Sequence, residues 1–290
     1  MPRPCSPISP RWSRTASGNP EVSPERRHIT GFSNPTVKSL RALREKKHRK
    51  AAGRFLAEGL RLLTDARECG HVPEMLVLSD RRDPHPLLAA LEEAVEGSGG
   101  EIIETSPDIL AKITGKDNPQ AVAGVFAEFD TGLAAIERAS ADIWLVAQAL
   151  RDPGNLGTML RTGDAIGAGG LILIDDCADP FSVEAVRASM GAVFTQRIAQ
   201  ARWGEFEGWL RGGTGQLVAA SLREAQPYRQ APYAAPCFVM VGNESRGLPE
   251  DYEMACDLRV TMPMKGRADS LNAAVAAAVL GYEVLASLES

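Results

Sequence analysis

The stretch from residue 237 to residue 283 constrains the fold more than any other part of the chain. It begins with an uninterrupted apolar run, Phe238 to Val241, whose length and composition are typical of a strand buried on both faces of a parallel sheet. Gly242 ends this run, a second strand-like run reaches Met262, and a long apolar helix follows. A strand buried on both faces needs helices on both sides of its sheet, so the stretch predicts an α/β domain.

The same alternation of strands and helices continues through the C-terminal half. Strands are predicted at residues 143–147, 171–174, 217–220, 238–241 and 258–262, and helices at 156–166, 183–190, 203–211 and 271–287. Strands that alternate with helices indicate a mostly parallel sheet covered on both faces. Residues 142–290 are therefore interpreted as one α/β domain, and its final helix is apolar nearly all round, which requires burial on more than one side.

Polar residues follow three of these strands. They lie in residues 148–157, in residues 243–246 directly after Gly242, and in residues 263–272. Turn formation alone explains any one of these loops, because Gly, Asn, Ser and Asp are the usual turn residues. Open α/β sheets hold ligands at the carboxyl ends of their strands, so three such loops in one domain predict a shared binding site. Neither a dinucleotide-binding G-x-G-x-x-G fingerprint nor a phosphate-binding G-x-x-x-x-G-K-[ST] loop is present.

Taken together, the three loops resemble the motifs of the SpoU, or TrmH-type, family of RNA ribose 2′-O-methyltransferases in the SPOUT superfamily. The matching residues occur in the family's order in three groups: Asn155, Gly157 and Arg161; then Gly242, Glu244, Gly247 and Leu248; then Pro263, Met264, Gly266, Ser270, Leu271, Asn272, Tyr282 and Glu283. The resemblance covers roughly residues 140 to 288. The chain departs from the family pattern at Gly163, at Ile166 and at Ala273-Ala274, none of which is a polar group with an expected role.

The resemblance implies a fold and a cofactor. The expected C-terminal domain, residues 142–290, is a parallel-sheet SPOUT domain closed by a trefoil knot, and it forms a homodimer through the knotted region. The cofactor implied is S-adenosylmethionine, held in a bent pose by Gly242, Met262 and Leu271. The reaction implied is transfer of its methyl group to a ribose 2′-hydroxyl.

The resemblance also assigns catalytic residues, which are Arg161, Asn155, Glu244, Ser270 and Asn272. Arg161 is the residue that the family uses as a base, but a guanidinium has a pKa above about 12, so binding a phosphate and stabilising the forming oxyanion is the easier role. Asn155 also suits the N-cap of the helix that follows it. Ser270 is not expected to act as a nucleophile, because none of the four histidines falls in the catalytic half to serve as its base.

The N-terminal half predicts a smaller α/β domain at residues 31–130. Helices are predicted from residue 34 through the basic run, at residues 55–66, 87–95 and 107–113, with strands at 75–79, 102–103 and 123–129. Between residues 38 and 54 eight Lys and Arg side chains accompany one Glu, although the formal net charge of the whole chain is −5. Such a patch favours a polyanion. The candidate RNA-binding residues are Lys46, Lys47, Arg49, Lys50 and Arg54, and the domain resembles the ribosomal-protein-like substrate-binding domain of many SpoU enzymes.

The remaining segments and the composition bound the other expectations. Residues 1–30 are rich in Pro, Ser and Arg and are interpreted as a disordered basic tail rather than a targeting segment, and residues 131–141 as a linker. Five scattered cysteines without a Cys-x-x-Cys pair argue against a disulfide framework or a metal site and favour a reducing, cytoplasmic location. No apolar run is long enough to span a membrane.

These observations lead to one main hypothesis and two alternatives. The main hypothesis is an S-adenosylmethionine-dependent RNA 2′-O-methyltransferase that acts on ribosomal RNA, which the fused N-terminal domain favours over tRNA. One alternative is the same reaction on tRNA. The other is a non-catalytic RNA-binding protein that keeps the fold, against which the full set of polar motif residues argues.

Overall fold

The computed structural model describes residues 26–267 and 269–290. These residues form two compact units, one made of residues 26–128 with 181–183 and the other of residues 129–180 with 184–290. Most of the predicted basic tail, residues 1–25, lies outside the described residues. Its last part, however, contains a strand, β1 (Arg26–Ile29), which pairs with a strand near residue 102.

The first unit is a five-stranded mixed sheet covered by helices. Its strands are β1, β2 (Arg54–Glu58), β3 (Met75–Ser79), β4 (Glu101–Thr105) and β5 (Val122–Ala127), in the order β1-β4-β3-β5-β2. The first three in that order are parallel, and β5 runs antiparallel to both of its neighbours. The helices are α1 (Pro35–Ala42), α2 (Lys46–Ala52), α3 (Leu60–Glu68), α4 (Pro86–Gly97) and α5 (Pro107–Thr114).

The predicted helix at residues 55–66 is wrong in its first half, where the structure has β2 instead. Phe55 and Leu56 are buried and pair with Phe126 and Val125 of β5, so sheet pairing overrides the helical pattern. Gly59 then adopts a φ of +112°, a backbone conformation that favours glycine, and α3 begins at Leu60. The basic helix is also two helices, α1 and α2, because the chain leaves helical geometry between them.

The second unit contains a seven-stranded sheet in which every pairing is parallel, as predicted. Its strands are β6 (Ile143–Gln148), β7 (Gly170–Ile174), β8 (Arg197–Ala201), β9 (Gln216–Ala220), β10 (Gln226–Pro227), β11 (Cys237–Val241) and β12 (Leu258–Thr261). The order is β10-β12-β9-β11-β6-β7-β8. The two edge strands, β8 and β10, were not predicted, because they lack the continuous apolar run that identifies a central strand.

The helices of the second unit cover this sheet. They are α6 (Pro153–Ala165), α7 (Val183–Ala188), α8 (Trp203–Arg211), α9 (Glu250–Met254) and α10 (Ala273–Leu288). In α10 the buried residues recur at helical spacing, with Ala277, Leu280 and Val284 fully enclosed. The opposite face is open, where Val275 is 47% and Tyr282 is 53% exposed. Within this chain, therefore, the apolar final helix is buried on one side.

Residues 131–141, predicted to be a linker, are fastened to the second unit. The Arg138 guanidinium donates hydrogen bonds to the carbonyls of Leu210 and Trp209 at 3.0 and 2.6 Å and lies 4.1 Å from the centroid of the Trp209 ring. The indole of Trp144, at the start of β6, donates to the carbonyl of Arg138 at 3.0 Å. These bonds hold Arg138 against the C-terminal end of α8 and the start of β6.

Candidate active site

The parallel sheet brings the three polar loops to one edge. Strands β6, β11, β9 and β12 are direct neighbours in parallel register, so their carboxyl ends, at Gln148, Val241, Ala220 and Thr261, face the same way. The loops that contain the motif residues follow β6, β11 and β12. Their convergence therefore follows from strand order and direction.

Two hydrogen bonds join one residue from each loop. The Nδ2 atom of Asn272 donates to Oδ1 of Asn155 at 3.0 Å, and Nδ2 of Asn155 donates to Oε1 of Glu244 at 3.0 Å. The orientation of each amide is fixed by its other bonds, since Oδ1 of Asn272 accepts from the backbone N–H groups at the start of α10. We call this chain of Asn272, Asn155 and Glu244 the amide tie. It unites the three sequence motifs at side-chain level.

Asn155 is free to join the amide tie because it is not the N-cap of its helix, contrary to the role considered for it from the sequence. Helix α6 begins three residues before the predicted start, at Pro153, a residue well suited to a first helical position. Asp152 is the cap, and its Oδ1 accepts from the backbone N–H of Asn155 at 2.6 Å. The Asn155 side chain therefore does not cap α6.

The loop after β11 is held by its own first polar residue. Oδ1 of Asn243 accepts from the N–H groups of Ser245 and Arg246, its carbonyl accepts from Gly247 at 2.9 Å, and its Nδ2 donates to the carbonyl of Ala149 at 2.9 Å. The last bond reaches the loop after β6. These bonds fix the turn that carries Glu244, which makes Asn243 a positioning residue of the site.

The loop's own backbone explains why Gly242 must lack a side chain. A Cβ at this position would lie 2.4 Å from the carbonyl carbon of Gly247 and 2.5 Å from the backbone nitrogen of Leu248. In the structure the space is filled by the returning chain, so a Cβ at Gly242 would force the site loop open.

A cavity of about 320 Å³ lies beside the amide tie. It is lined by the three residues predicted to bind cofactor, Gly242, Met262 and Leu271, together with Glu244 and Ser270. Its other walls come from the end of β9 and from α9, which the sequence motifs do not include; these residues are Ser221, Leu222, Arg223 and Glu253. The sequence contains a signal for the residues after β9, because the polar Ser221 and Arg223 follow this apolar strand directly.

Arg161 and Ser270 have fewer contacts than the tied residues. Arg161 is exposed on α6, about 9 Å further along the helix axis than Asn155, and no hydrogen bond or ion pair of its guanidinium occurs within the described residues. The hydroxyl of Ser270 donates to Oδ1 of Asp269 at 3.2 Å. Arg161 thus presents an unpaired cation, and the hydrogen bond described for Ser270 is to its neighbour in the chain, Asp269.

A saturated carboxylate lies at the same edge of the sheet, one strand beyond β6. Asp175 follows β7 with a φ of +61° and accepts hydrogen bonds from the Gln148 side chain, the Trp203 backbone and the Tyr252 hydroxyl at 3.1, 3.1 and 3.0 Å. The Trp203 and Tyr252 rings are stacked with centroids 4.1 Å apart. Burial, with the Asp175 hydrogen bond, raises the pKa of Tyr252 to about 12, so the phenol remains a donor at neutral pH. This network anchors α9, which carries Glu253.

The predicted RNA-binding residues of the first unit divide into two groups. Lys46, Lys47 and Lys50 are exposed on α2, as phosphate contacts require. The prediction that Arg49 binds RNA is not supported by its burial, since it is only 2% exposed. Its Nη1 donates to the carbonyls of Leu43 and Arg44, which have no helical partners because the chain breaks between α1 and α2. Arg54 is exposed but forms an ion pair with Glu74 at 2.7 Å.

Comparison with known proteins identifies the class to which this fold and site belong. The model of the SpoU rRNA Methylase family matches residues 142–282, and that of the MRM3-like substrate binding domain matches residues 34–124. The chain belongs to the SpoU rRNA methylase family. The resemblance inferred from the three loops is thereby confirmed, as is the predicted fold class of a parallel-sheet methyltransferase domain with a smaller N-terminal α/β domain.

Three relatives show how far the similarity extends. The chain is 31% identical over 259 residues to the 23S rRNA (guanosine(2553)-2′-O)-methyltransferase of Bacillus subtilis, covering 89% of this chain and 99% of the relative. An AdoMet-bound rRNA methyltransferase from Sinorhizobium meliloti is 38% identical with a TM-score of 0.85, covering 91% of this chain and 99% of that one. The AdoMet complex of the SpoU methyltransferase AviRb from Streptomyces viridochromogenes is 29% identical with a TM-score of 0.79, covering 89% and 99%.

Proposed function

We propose that this chain transfers the methyl group of S-adenosylmethionine to a ribose 2′-hydroxyl of ribosomal RNA. The observation that carries the proposal is the amide tie, which joins the three family motifs beside a cavity of nucleoside size. The named activity of the Bacillus subtilis relative, a 2′-O-methyltransferase of 23S rRNA, supports ribosomal RNA over tRNA.

The cavity fits a cofactor of this kind. Its volume of about 320 Å³ lies within the usual range for small-molecule sites, and its walls combine apolar side chains such as Leu271 and Met262 with a few polar ones. When bound, S-adenosylmethionine supplies an electrophilic methyl group on a sulfonium sulfur. The residues proposed to hold it are Gly242, Met262 and Leu271, with backbone N–H and C=O groups at the strand ends available for hydrogen bonds.

We assign Arg161 to the RNA rather than to proton removal. Its guanidinium is exposed and unpaired among the described residues, and a guanidinium offers hydrogen-bond donors but no acceptor. A guanidinium binds phosphate oxygens in a bidentate manner, which would orient the ribose and stabilise negative charge that develops on its 2′-oxygen. The proton of the hydroxyl is then released to water rather than to Arg161.

The members of the amide tie are proposed as positioning residues. Asn272 joins the start of α10 to Asn155, and Asn155 joins α6, the helix that carries Arg161, to the Glu244 loop. The tie therefore couples the cavity wall to the RNA-binding side of the site. Ser270, which lines the cavity, is proposed to hold a phosphate or the adjacent loop.

The RNA substrate is proposed to meet a second surface on the first unit. Lys46, Lys47 and Lys50 present three exposed cations on α2, and sequence-independent binding of RNA depends on such phosphate contacts. Arg54 is proposed to contribute less, because Glu74 already partly neutralises it. Arg49 is excluded by its burial.

The proposed assembly is a homodimer that covers α10, with the trefoil knot that the family resemblance implies. Val275 and Tyr282 are seven residues apart and so share the open face of the helix, where two large apolar side chains remain exposed. A cytoplasmic location is also proposed, supported by Cys177, Cys237 and Cys256, which form no disulfide within the described part of the chain. No helix among the described residues is long and apolar enough to cross a membrane.

The test of the function is a comparison of ribose methylation across rRNA and tRNA in cells with and without the protein. Loss of one 2′-O-methyl group from rRNA, restored by the wild-type gene but not by an Arg161→Ala variant, would support the proposal. Loss from tRNA alone would favour the tRNA alternative. An unchanged methylation map, together with RNA binding by the purified protein, would leave only the non-catalytic alternative.

A further inference from the structure

A buried carboxylate in the cavity wall lacks a hydrogen-bond donor. Glu253 lies on α9, lines the cavity and is only 7% exposed. Its Oε2 atom is sealed from solvent and has no hydrogen-bond partner among the described residues. Buried carboxylates are normally paired or hydrogen-bonded, because an unsatisfied buried charge costs several kcal/mol. This carboxylate therefore requires an explanation.

The nearest cation does not satisfy Glu253. Nε of Arg223 lies 3.7 Å from Oε2, beyond hydrogen-bond range, while Nη1 of the same guanidinium is 3.1 Å from Oε2 of Glu250. Arg223 is mostly exposed and is thus directed to the outer of the two glutamates. Removing Glu253 would leave Arg223 with its closer partner, so the ion pair does not explain why a carboxylate is buried here.

The position of Glu253 in the cavity indicates which part of a ligand it meets. The amide tie joins the loops that follow β6 and β11, whereas Glu253 lies next to Arg223, which follows β9, the neighbour of β11 on the side away from β6. Beside it the cavity wall carries Leu222, which is 71% exposed, and Leu271, which is 38% exposed. Exposed aliphatic side chains at a cavity mouth suit the faces of a nucleobase, and a neighbouring carboxylate suits the donors of a nucleoside.

We infer that the Glu253 carboxylate accepts a hydrogen bond from the nucleoside half of bound S-adenosylmethionine, either from the ribose hydroxyls or from the amino group of the base. The inference rests on the proposed function, since it concerns the cofactor of that reaction. It makes Glu253 a cofactor-binding residue whose carboxylate gains a hydrogen-bond donor in the complex. Tyr252, the residue before Glu253, donates a hydrogen bond to Asp175, and this bond fixes α9 and thereby Glu253 in the cavity wall.

The experiment measures cofactor affinity and apoprotein stability in Glu253→Gln, with Glu250→Gln as the matched control. Both variants remove one carboxylate from Arg223, but Glu250 is exposed and does not line the cavity. By isothermal titration calorimetry, Glu253→Gln is expected to weaken binding of S-adenosylhomocysteine and of methylthioadenosine about tenfold alike, because the amide oxygen replaces a charge-assisted hydrogen bond with a weaker neutral one. Glu250→Gln is expected to bind both ligands as the wild type does.

Apoprotein stability separates a binding role from a structural one. Removing an unsatisfied buried charge should leave the thermal midpoint of apo Glu253→Gln unchanged or raised, whereas a carboxylate that holds the fold would lower it. Glu253→Asp, which keeps the charge but withdraws it by one methylene, should also bind weakly. A fall in the apoprotein midpoint of Glu253→Gln, with cofactor affinity restored in a stabilised background, would overturn the inference.

Cofactor analogues identify the donor and complete the test. The 2′-deoxy, 3′-deoxy and N6,N6-dimethyl forms of methylthioadenosine each lack one set of hydrogen-bond donors. The analogue that lacks the donor bound by Glu253 should bind to wild type and to Glu253→Gln with equal affinity. Additive losses for all three would overturn the inference, as would a Glu253→Gln effect on S-adenosylhomocysteine that is absent with methylthioadenosine. Wild type that fails to bind S-adenosylhomocysteine would refute the proposed function itself, whereas equal binding by wild type and Glu253→Gln would refute only the role of Glu253.

Discussion

Two acidic residues at one edge of the parallel sheet differ in how well their charge is satisfied. Asp175, after β7, accepts three hydrogen bonds from residues on three different elements. Glu253, on the cavity side, accepts none at its buried oxygen. The two basic residues Arg49 and Arg161 form a similar pair, since Arg49 is buried against two carbonyls and Arg161 is exposed without a partner.

The difference teaches which groups hold the fold and which are reserved for ligands. A group whose hydrogen bonds are all made within the chain stabilises the folded state and has nothing left to offer a ligand. A group that remains unsatisfied costs stability in the free protein and recovers it on binding. We therefore expect mutations of Asp175 and Arg49 to act on folding, and mutations of Arg161 and Glu253 to act on binding and catalysis.

The largest effect that this comparison predicts is on turnover in Arg161→Lys. A lysine keeps the charge but not the bidentate geometry, so single-turnover methyl transfer to RNA should fall about 10²- to 10³-fold. Affinity for S-adenosylhomocysteine and the thermal midpoint should match the wild type, because Arg161 has no partner within the described residues. Arg197→Lys, at an exposed position on the edge strand β8, is the control. Equal turnover by Arg161→Lys and wild type would remove Arg161 from the mechanism.

Asp175→Asn should lower stability and leave cofactor affinity nearly unchanged, the opposite of what is expected for a ligand-binding residue. Asparagine tolerates the positive φ of this position, so the change isolates the hydrogen bonds from backbone strain. One amide oxygen cannot accept all three donors, and the free energy of unfolding should fall by about 2–3 kcal/mol, measured by chemical denaturation. At a temperature where the variant is folded, its cofactor affinity should stay within about twofold of wild type. A loss of affinity without a loss of stability would contradict the comparison.

Mutations in the amide tie should affect both turnover and stability, because its side chains are hydrogen-bonded to one another and are also part of the site. Asn155→Ala breaks two hydrogen bonds and should lower turnover about tenfold, with a loss of stability of about 1 kcal/mol. A double-mutant cycle with Glu244→Ala should show coupling of at least about 0.5 kcal/mol in the transition-state free energy. Strict additivity of the two changes would mean that the tie does not act as a unit.

The sequence predicts the parts of this molecule that depend on apolar runs and on motif order. The central strands β6, β7, β9, β11 and β12 were all identifiable because strands buried on both faces are continuously apolar. Gly242, Met262 and Leu271, which line the cavity, were named as cofactor residues through the resemblance of the loops to the family motifs. The edge strands β8 and β10 were not identifiable, and β2 was mistaken for a helix, because pairing with a distant strand decided its conformation.

What the sequence cannot predict is which polar groups satisfy one another. Arg49 and Lys50 are adjacent in a basic run and look equivalent, yet the break after α1 buries Arg49 alone. Asn155 looks like a helix cap until Asp152 takes that role. Glu253 is an ordinary charged residue in sequence, and only the packing of α9 against the cavity shows that its carboxylate lacks a donor. Such distinctions arise from contacts between residues far apart in the chain.

The smallest predicted effects concern single lysines on α2, and they extend the comparison to the first unit. Lys46→Ala, Lys47→Ala and Lys50→Ala should each weaken RNA binding only a few-fold and lower the slope of log affinity against log salt by up to about 1, with no change in the thermal midpoint. Arg49→Ala should lower the midpoint instead, since it leaves the carbonyls of Leu43 and Arg44 without their donor. If Arg49→Ala changed the salt slope at unchanged stability, burial would be a poor guide to function in this protein, and the distinction drawn between Asp175 and Glu253 would weaken with it.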